Sequence, residues 1–234
     1  MTPGAALDVA DTTGPARGIA LVLHGGRARS TAPVRPGQLT VLRMRPFARE
    51  LTRVGAARGL VVARLRYAVR GWNGDLRSPV PDARAALAEL TERFGPVPIA
   101  LVGHSMGGRT ALHVADHPSV RAVVGLAPWI EDGDPVGTVA GRHVLLAHGT
   151  RDRMTSARAS ARYAEAARGI AASVSFVSVH DEAHAMIRRA SVWHRLAAGY
   201  VSGVLFDMNP YGTADDPTAN VLARALAGEA SLVV

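Results

Sequence analysis

The stretch "ALVGHSMGGRTALHVADHP" runs from Ala100 to Pro118 and sets Ser105 between Gly103 and Gly107. A serine hydroxyl is a weak nucleophile until a neighbouring base takes its proton. A Gly-x-Ser-x-Gly spacing between an apolar run and a helical pattern lifts such a hydroxyl clear of a sheet edge. The two glycines leave room for a tight strand-helix crossing, and the helix start turns its amides toward a developing negative charge. The same five residues would also make an inert glycine-rich turn, so the partners decide.

The base is expected to be a histidine, whose titration lies near neutrality. Of the 9 histidines, His184 in "VHDEAHAM" is best placed, just after an apolar run and before a long helical pattern. His180 is the near competitor, while His113, His117 and His194 fall within helical patterns. His180 and His184 stand four apart, but Asp181 follows His180 where a zinc-protease helix needs glutamate, and the segment begins in a loop. No metal site is expected. The acid that would hold the histidine tautomer is Asp152 in "LLAHGTRDRMT", with Asp132 and Asp134 in "IEDGD" as alternatives. Two amide donors are needed for a tetrahedral oxyanion. Met106, directly after the serine, supplies one. In "LVLHGGRARS" Gly26 is the expected second, with Arg27 next, and His24 is read as a brace for that loop.

These residues require a parallel sheet to hold them. Short apolar runs alternate with longer amphipathic stretches, the pattern of strands joined by crossover helices. "GIALVLHGG", "LVVARLRY", "VPIALVG", "VRAVVGLAP", "RHVLLAHG" and "SVSFVSV" read as about six parallel strands. Several are apolar without alternation, as when helices cover both faces. Helices are expected over "VLRMRPFARELTRVGAARG", "PDARAALAELTERFG" with Gly95 as its stop, Met106 to about His117, "SARASARYAEAARG" capped by Ser156, and "AMIRRASVWHRLAAGYVSGVLF". The segment Asp207 to Asn220 reads as a loop; "VLARALAGEASLVV" after it has no evident role.

Composition narrows the rest. The 234 residues suit one α/β domain, and 48% hydrophobic residues fill a sizeable core. The absence of cysteine excludes disulfides and thiolate chemistry. No early stretch resembles a signal peptide and no run reaches a membrane span, so a soluble, cytoplasmic protein is expected. The net charge of +8 invites a nucleic-acid reading. However, the 27 basic residues are all arginine, scattered without charge blocks or interleaved aromatics, so no specific nucleic-acid partner is expected.

The "HGG" at His24, "GHSMGG" at Gly103, "HGTRD" at His148 and "EAHAM" at Glu182 together resemble the α/β-hydrolase superfamily over residues 18–206. The resemblance implies a single-domain α/β-hydrolase fold with a Ser105-Asp152-His184 triad and no cofactor. It also sets residues 1–17 apart as a short strand or irregular segment and 207–234 as a loop with a short helix or tail. Only a short connection follows "LAPW", so no cap domain is expected. The chain looks like the compact dienelactone-hydrolase and small-esterase branch, with serine as nucleophile. The implied activity is cleavage of an ester of a small acyl substrate. A thioesterase or an amidase/aminopeptidase would use the same residues, and a non-catalytic binding module would share the fold. Arg27, Trp72 and Trp129 are the expected pocket residues, beside Tyr67 and Arg70. An uncapped site surrounded by arginines is expected to favour short and anionic acyl groups.

Overall fold

The computed structural model describes residues 3–12, 14–212 and 216–234. Its centre is an eight-stranded sheet in the order β1-β3-β2-β4-β5-β6-β7-β8. The strands are β1 (Ala6–Val9), β2 (Gly18–Leu23), β3 (Leu60–Arg66), β4 (Ile99–His104), β5 (Val120–Leu126), β6 (His143–Gly149), β7 (Ser173–Val179) and β8 (Ser231–Val233). All neighbours pair parallel except β1, which runs antiparallel to β3 at the edge. The six expected strands are present. β1 and β8 extend them on either side, too short to announce themselves by periodicity.

Burial explains the unalternated sequences. Every residue of β2 and β4 is buried. Ile19, Leu21 and Leu23 face α3 (Pro79–Phe94), α4 (Met106–His113) and α5 (Ala157–Ala167). Ala20 and Val22 face α2 (Arg45–Gly55), α6 (Ala190–Phe206) and α7 (Pro217–Leu226). A strand apolar on both sides needs helices on both faces. No helix among the described residues is long and apolar enough to cross a membrane.

The expected helix boundaries hold in part. Ser156 Oγ accepts from Ala159 N–H at 3.1 Å and starts α5, and Gly95 ends α3 at φ +78°. The stretch from Val41 divides into the single turn α1 (Leu39–Leu42) and α2, because Pro46 fits only a helix start. α4 stops at His113 rather than His117. Val114 N–H is shared between the Thr110 and Ala111 carbonyls, and Pro118 disfavours helical geometry just before it. α6 starts at Ala190 rather than Ala185, since Met186 sits at φ +56°. Of the loop expected over 207–220, residues 213–215 lie outside the described residues, and helix already begins at Pro217. There Asp216 Oδ1 accepts from Thr218 and Ala219 N–H.

The segment without an evident role completes the sheet. α7 packs on α6, and β8 pairs parallel with β7 through Leu232 opposite Val177. Leu232 is 2% exposed. Leu232→Ala is therefore expected to lower the unfolding free energy by about 2–4 kcal/mol. Urea denaturation monitored by circular dichroism checks this; a loss below about 0.5 kcal/mol, the scale of a surface substitution, would mean that β8 is not docked.

Candidate active site

Ser105 lies between β4 and α4 with φ +56° and ψ −118°, a region that costs a non-glycine residue about 1–3 kcal/mol. The surroundings enforce it. Ser105 N–H donates to the Leu126 carbonyl at 3.0 Å, and the Ser105 carbonyl accepts from Arg109 and Trp129 N–H, both at 3.1 Å. A Cβ on Gly103 would come 2.2 Å from the Gly107 carbonyl oxygen, and one on Gly107 would come 2.3 Å from that of Leu23. The crossing is too tight for any other residue.

Asp152 and His184 meet at the same edge of the sheet. Asp152 follows β6, and its Oδ2 accepts from His184 Nδ1 at 2.8 Å. The Asp152 side chain is wholly covered. Its Oδ1 takes the N–H of Met154 at 2.8 Å and of Thr155 at 3.1 Å. Burial opposes its charge, but hydrogen bonds from His148, His184 and the Thr155 and Met154 amides outweigh that penalty. The carboxyl is held well below the usual carboxylate range. An ionised acceptor on Nδ1 puts the His184 proton there and leaves Nε2 with its lone pair. The alternative acids are occupied elsewhere. The Asp132 side chain is 95% exposed, and Asp134 is bound to Arg109 and His113. His180 is exposed, with its N–H on the Val234 carbonyl.

Three further residues, whose own roles the sequence does not announce, shape the site. His148 places Nε2 3.2 Å from Asp152 Oδ2 and turns Nδ1 to the buried Ser160 hydroxyl at 3.0 Å. One carboxylate oxygen thus serves two imidazoles. His104 lies with its ring 4.7 Å from that of His184 and donates from Nε2 to the His184 carbonyl at 3.0 Å. It ties the residue before Ser105 to the loop of His184. Glu182, 1% exposed, accepts from Ala183 N–H and Arg189 N–H, which holds the 182–189 loop out of helix. The motif spacing carried the signal for His148 and Glu182; only the packing reveals what they touch.

The loops that carry the two expected amide donors touch. A Cβ on Gly26 would lie 2.3 Å from Met106 Cε and 2.5 Å from the Arg70 carbonyl oxygen, so the two loops are pressed together. The N–H groups of Gly26 and Met106 donate to nothing among the described residues. The Arg27 N–H donates to the Arg70 carbonyl at 2.8 Å, which removes Arg27 as the second donor. His24 braces the loop as expected. Its Nδ1 lies 2.7 Å from the Gly25 carbonyl oxygen, its Nε2 accepts from Tyr67 N–H at 3.3 Å, and burial lowers its pKa to about 4.

A cavity of about 370 Å³ opens beside this loop, lined by Gly26, Arg27, Val34, Leu39, Arg70 and Met154 among others. Arg27 is in it. Trp72 and Trp129, expected there, are not among its walls. Trp72 is 3% exposed, and the Arg109 guanidinium sits 4.2 Å from its ring centroid and 4.7 Å from that of Trp129. The two indoles clamp a buried arginine beneath the turn that carries Ser105, a cation–π arrangement favoured where water is excluded. Tyr67 is wholly buried against His24.

Residues 69–164 match the family model described as the alpha/beta hydrolase fold. No curated protein sequence matches the chain. Solved structures with the same arrangement include an alpha-beta serine hydrolase homologue from Coxiella burnetii, 16% identical, with a TM-score of 0.62 over 83% of this chain and 90% of the other. A serine hydrolase without lid from Xanthomonas campestris is 17% identical, with a TM-score of 0.58 over 89% and 90%. An esterase domain from Rhodothermus marinus is 20% identical, with a TM-score of 0.52 over 86% and 89%. At these identities the likeness is one of fold.

The buried histidines make stability depend on acid. Burial lowers His104 to about 3 and His24 to about 4, from 6.5. Below pH 6.5 the unfolded chain takes protons that the folded chain refuses. Stability is therefore complete above that value and is lost as pH falls toward 4, by up to about 1.4 kcal/mol per pH unit for each histidine. Urea unfolding between pH 7.5 and 4.5 is expected to show this slope, and His104→Gln to flatten it. An unchanged slope in the variant would mean that His104 is protonated in the fold.

Proposed function

From the α/β-hydrolase fold, with no lid domain among the described residues, we propose a serine hydrolase that cleaves an ester of a small acyl substrate through Ser105, His184 and Asp152. The observation that carries the reading is the Asp152–His184 contact of 2.8 Å at the sheet edge where Ser105 is held in a strained turn.

Ser105 Oγ attacks the acyl carbonyl carbon while its proton passes to His184 Nε2. The carbonyl oxygen becomes an oxyanion and accepts from the Gly26 and Met106 amides. The C–O bond then breaks, and the departing alcohol takes the proton from His184. Water attacks the acyl-enzyme by the same route, giving up a proton to His184; the bond from the acyl carbon to Oγ then breaks, Oγ takes that proton back from His184, and the carboxylic acid departs. Asp152 stays ionised throughout and stabilises the imidazolium.

The expected outcome is covalent labelling of Ser105 by a fluorophosphonate. Ser105→Ala is expected to lose both the label and roughly 10⁴–10⁶-fold of p-nitrophenyl acetate turnover. Labelling that survives in the variant, or turnover within tenfold of the unaltered chain, would refute the assignment.

The cavity wall refines the acyl group. Its lining carries Arg27 and Arg70 and no acid. Arg70 donates from Nε to a neutral acceptor, the Pro33 carbonyl at 3.0 Å, and makes no ion pair among the described residues. Val34, Leu39 and Met154 supply apolar wall beside it. We read this as selection for a short acyl group that ends in a carboxylate. Arg70→Gln should lower kcat/KM for p-nitrophenyl hemisuccinate about tenfold, the equivalent of one charge-assisted hydrogen bond, and leave p-nitrophenyl butyrate within about threefold. Equal losses on both esters would make Arg70 a mere loop support.

A further inference from the structure

A second cavity, of about 220 Å³, lies behind the wall of the first. Residues 34–41 separate them: Val34, Gln38, Leu39 and Thr40 face the substrate cavity, and Pro36 and Val41 face the second. His24 borders both. The volume is below the roughly 300–1,000 Å³ of sites for drug-sized molecules, so its occupant is small.

The walls specify the chemistry. Val22, Met44 and Leu65, each no more than 2% exposed, form an apolar floor between β2, β3 and the start of α2. Charge stands around it. Asp8 is the one acid of the lining and is already paired with Arg64. Arg66 donates from Nη1 to the neutral Gly4 and Val34 carbonyls and makes no ion pair among the described residues. Arg45 is exposed and makes no ion pair among the described residues. Beyond Arg45 an open groove continues along α2 past Arg49, so the approach to the cavity is positive.

An apolar floor under two uncompensated guanidiniums fits one kind of molecule. We propose that this cavity binds a medium-chain alkyl carboxylate, its chain on Val22, Met44 and Leu65 and its carboxylate on Arg45 and Arg66. Arginine presents paired N–H groups that suit a carboxylate, and the alkyl chain gains by leaving water. The site stands on its own geometry. One consequence rests on the hydrolase reading above: Arg66 holds the carbonyl of Val34, whose residue lines the substrate cavity. Acid bound here would stiffen the wall that receives the acyl group.

The test titrates octanoate, octanol and octylamine into the full-length Ser105→Ala chain by calorimetry, so that binding is read without turnover. Saturable binding of octanoate at one site is expected, with at least tenfold weaker binding of octanol and octylamine. Arg45→Glu, at an exposed position, is expected to weaken octanoate at least tenfold, and Met44→Trp to abolish binding by filling the floor. Arg70→Gln should change it less than twofold. No saturable octanoate binding would overturn the proposal, as would octanol binding equally well. Loss in Arg70→Gln with none in Arg45→Glu would overturn it too, by placing the acid in the substrate cavity. Fluorophosphonate labelling of the unaltered chain reports separately on the hydrolase reading, so either can fail without the other.

Discussion

The charge on Asp152 is the constraint around which the site is built. Withdrawing a carboxylate from water costs several kcal/mol unless its oxygens are met by donors. Here those donors come from separate parts of the chain: the amides of the loop after β6, the ring of His148 on β6 itself, and His184 beyond β7. Satisfying one buried charge therefore fixes the spacing of two loops and the orientation of His184. Ser160 at the back of His148 extends the same network into α5. A partly satisfied carboxylate would be worse than none, which is why the network is closed on every side.

Strain gathers at the edge that this network stabilises. Ser105, Ala127 and Met186 all take positive φ, and each lies in a connection that leaves the C-terminal end of a strand. The sheet can hold them because its central strands are buried on both faces and paired on both sides. Ala127 shows how: its N–H donates to the Ala147 carbonyl at 2.7 Å, and its own carbonyl accepts from Thr155, which also touches Asp152. The turn after β5 is thereby tied to Asp152 after β6. His104 joins the turn of Ser105 to the loop of His184, and a neutral imidazole suffices, since it needs only one N–H for the His184 carbonyl.

Arginine without lysine gives the chain one cation for several tasks. Planar and weakly hydrated, the guanidinium tolerates burial between Trp72 and Trp129, where an ammonium would be poorly matched. Arg109 in that clamp reaches Asp134 and Glu131 and supports the turn through its own amide. Arg66 and Arg70 instead use neutral carbonyls as anchors, so their positive charge is left for the cavities.

Sequence by itself determined what short-range chemistry dictates. Two glycines around Ser105 mark a crossing with no space for a Cβ, and apolar runs without alternation mark strands covered on both sides. The order of Ser105, Asp152 and His184 along strand ends needs no coordinates to be read. Tertiary structure alone decided what depends on contacts between distant residues. It made Asp152 rather than Asp134 the partner of His184, because Arg109 and His113 claim the latter. It turned Trp72 from the expected pocket into a clamp, since an indole beside a buried guanidinium gains more from stacking than from exposure. It also put the 231–233 strand into the sheet: three residues carry too little pattern to declare a strand, and only the open edge of β7 gives them one to join.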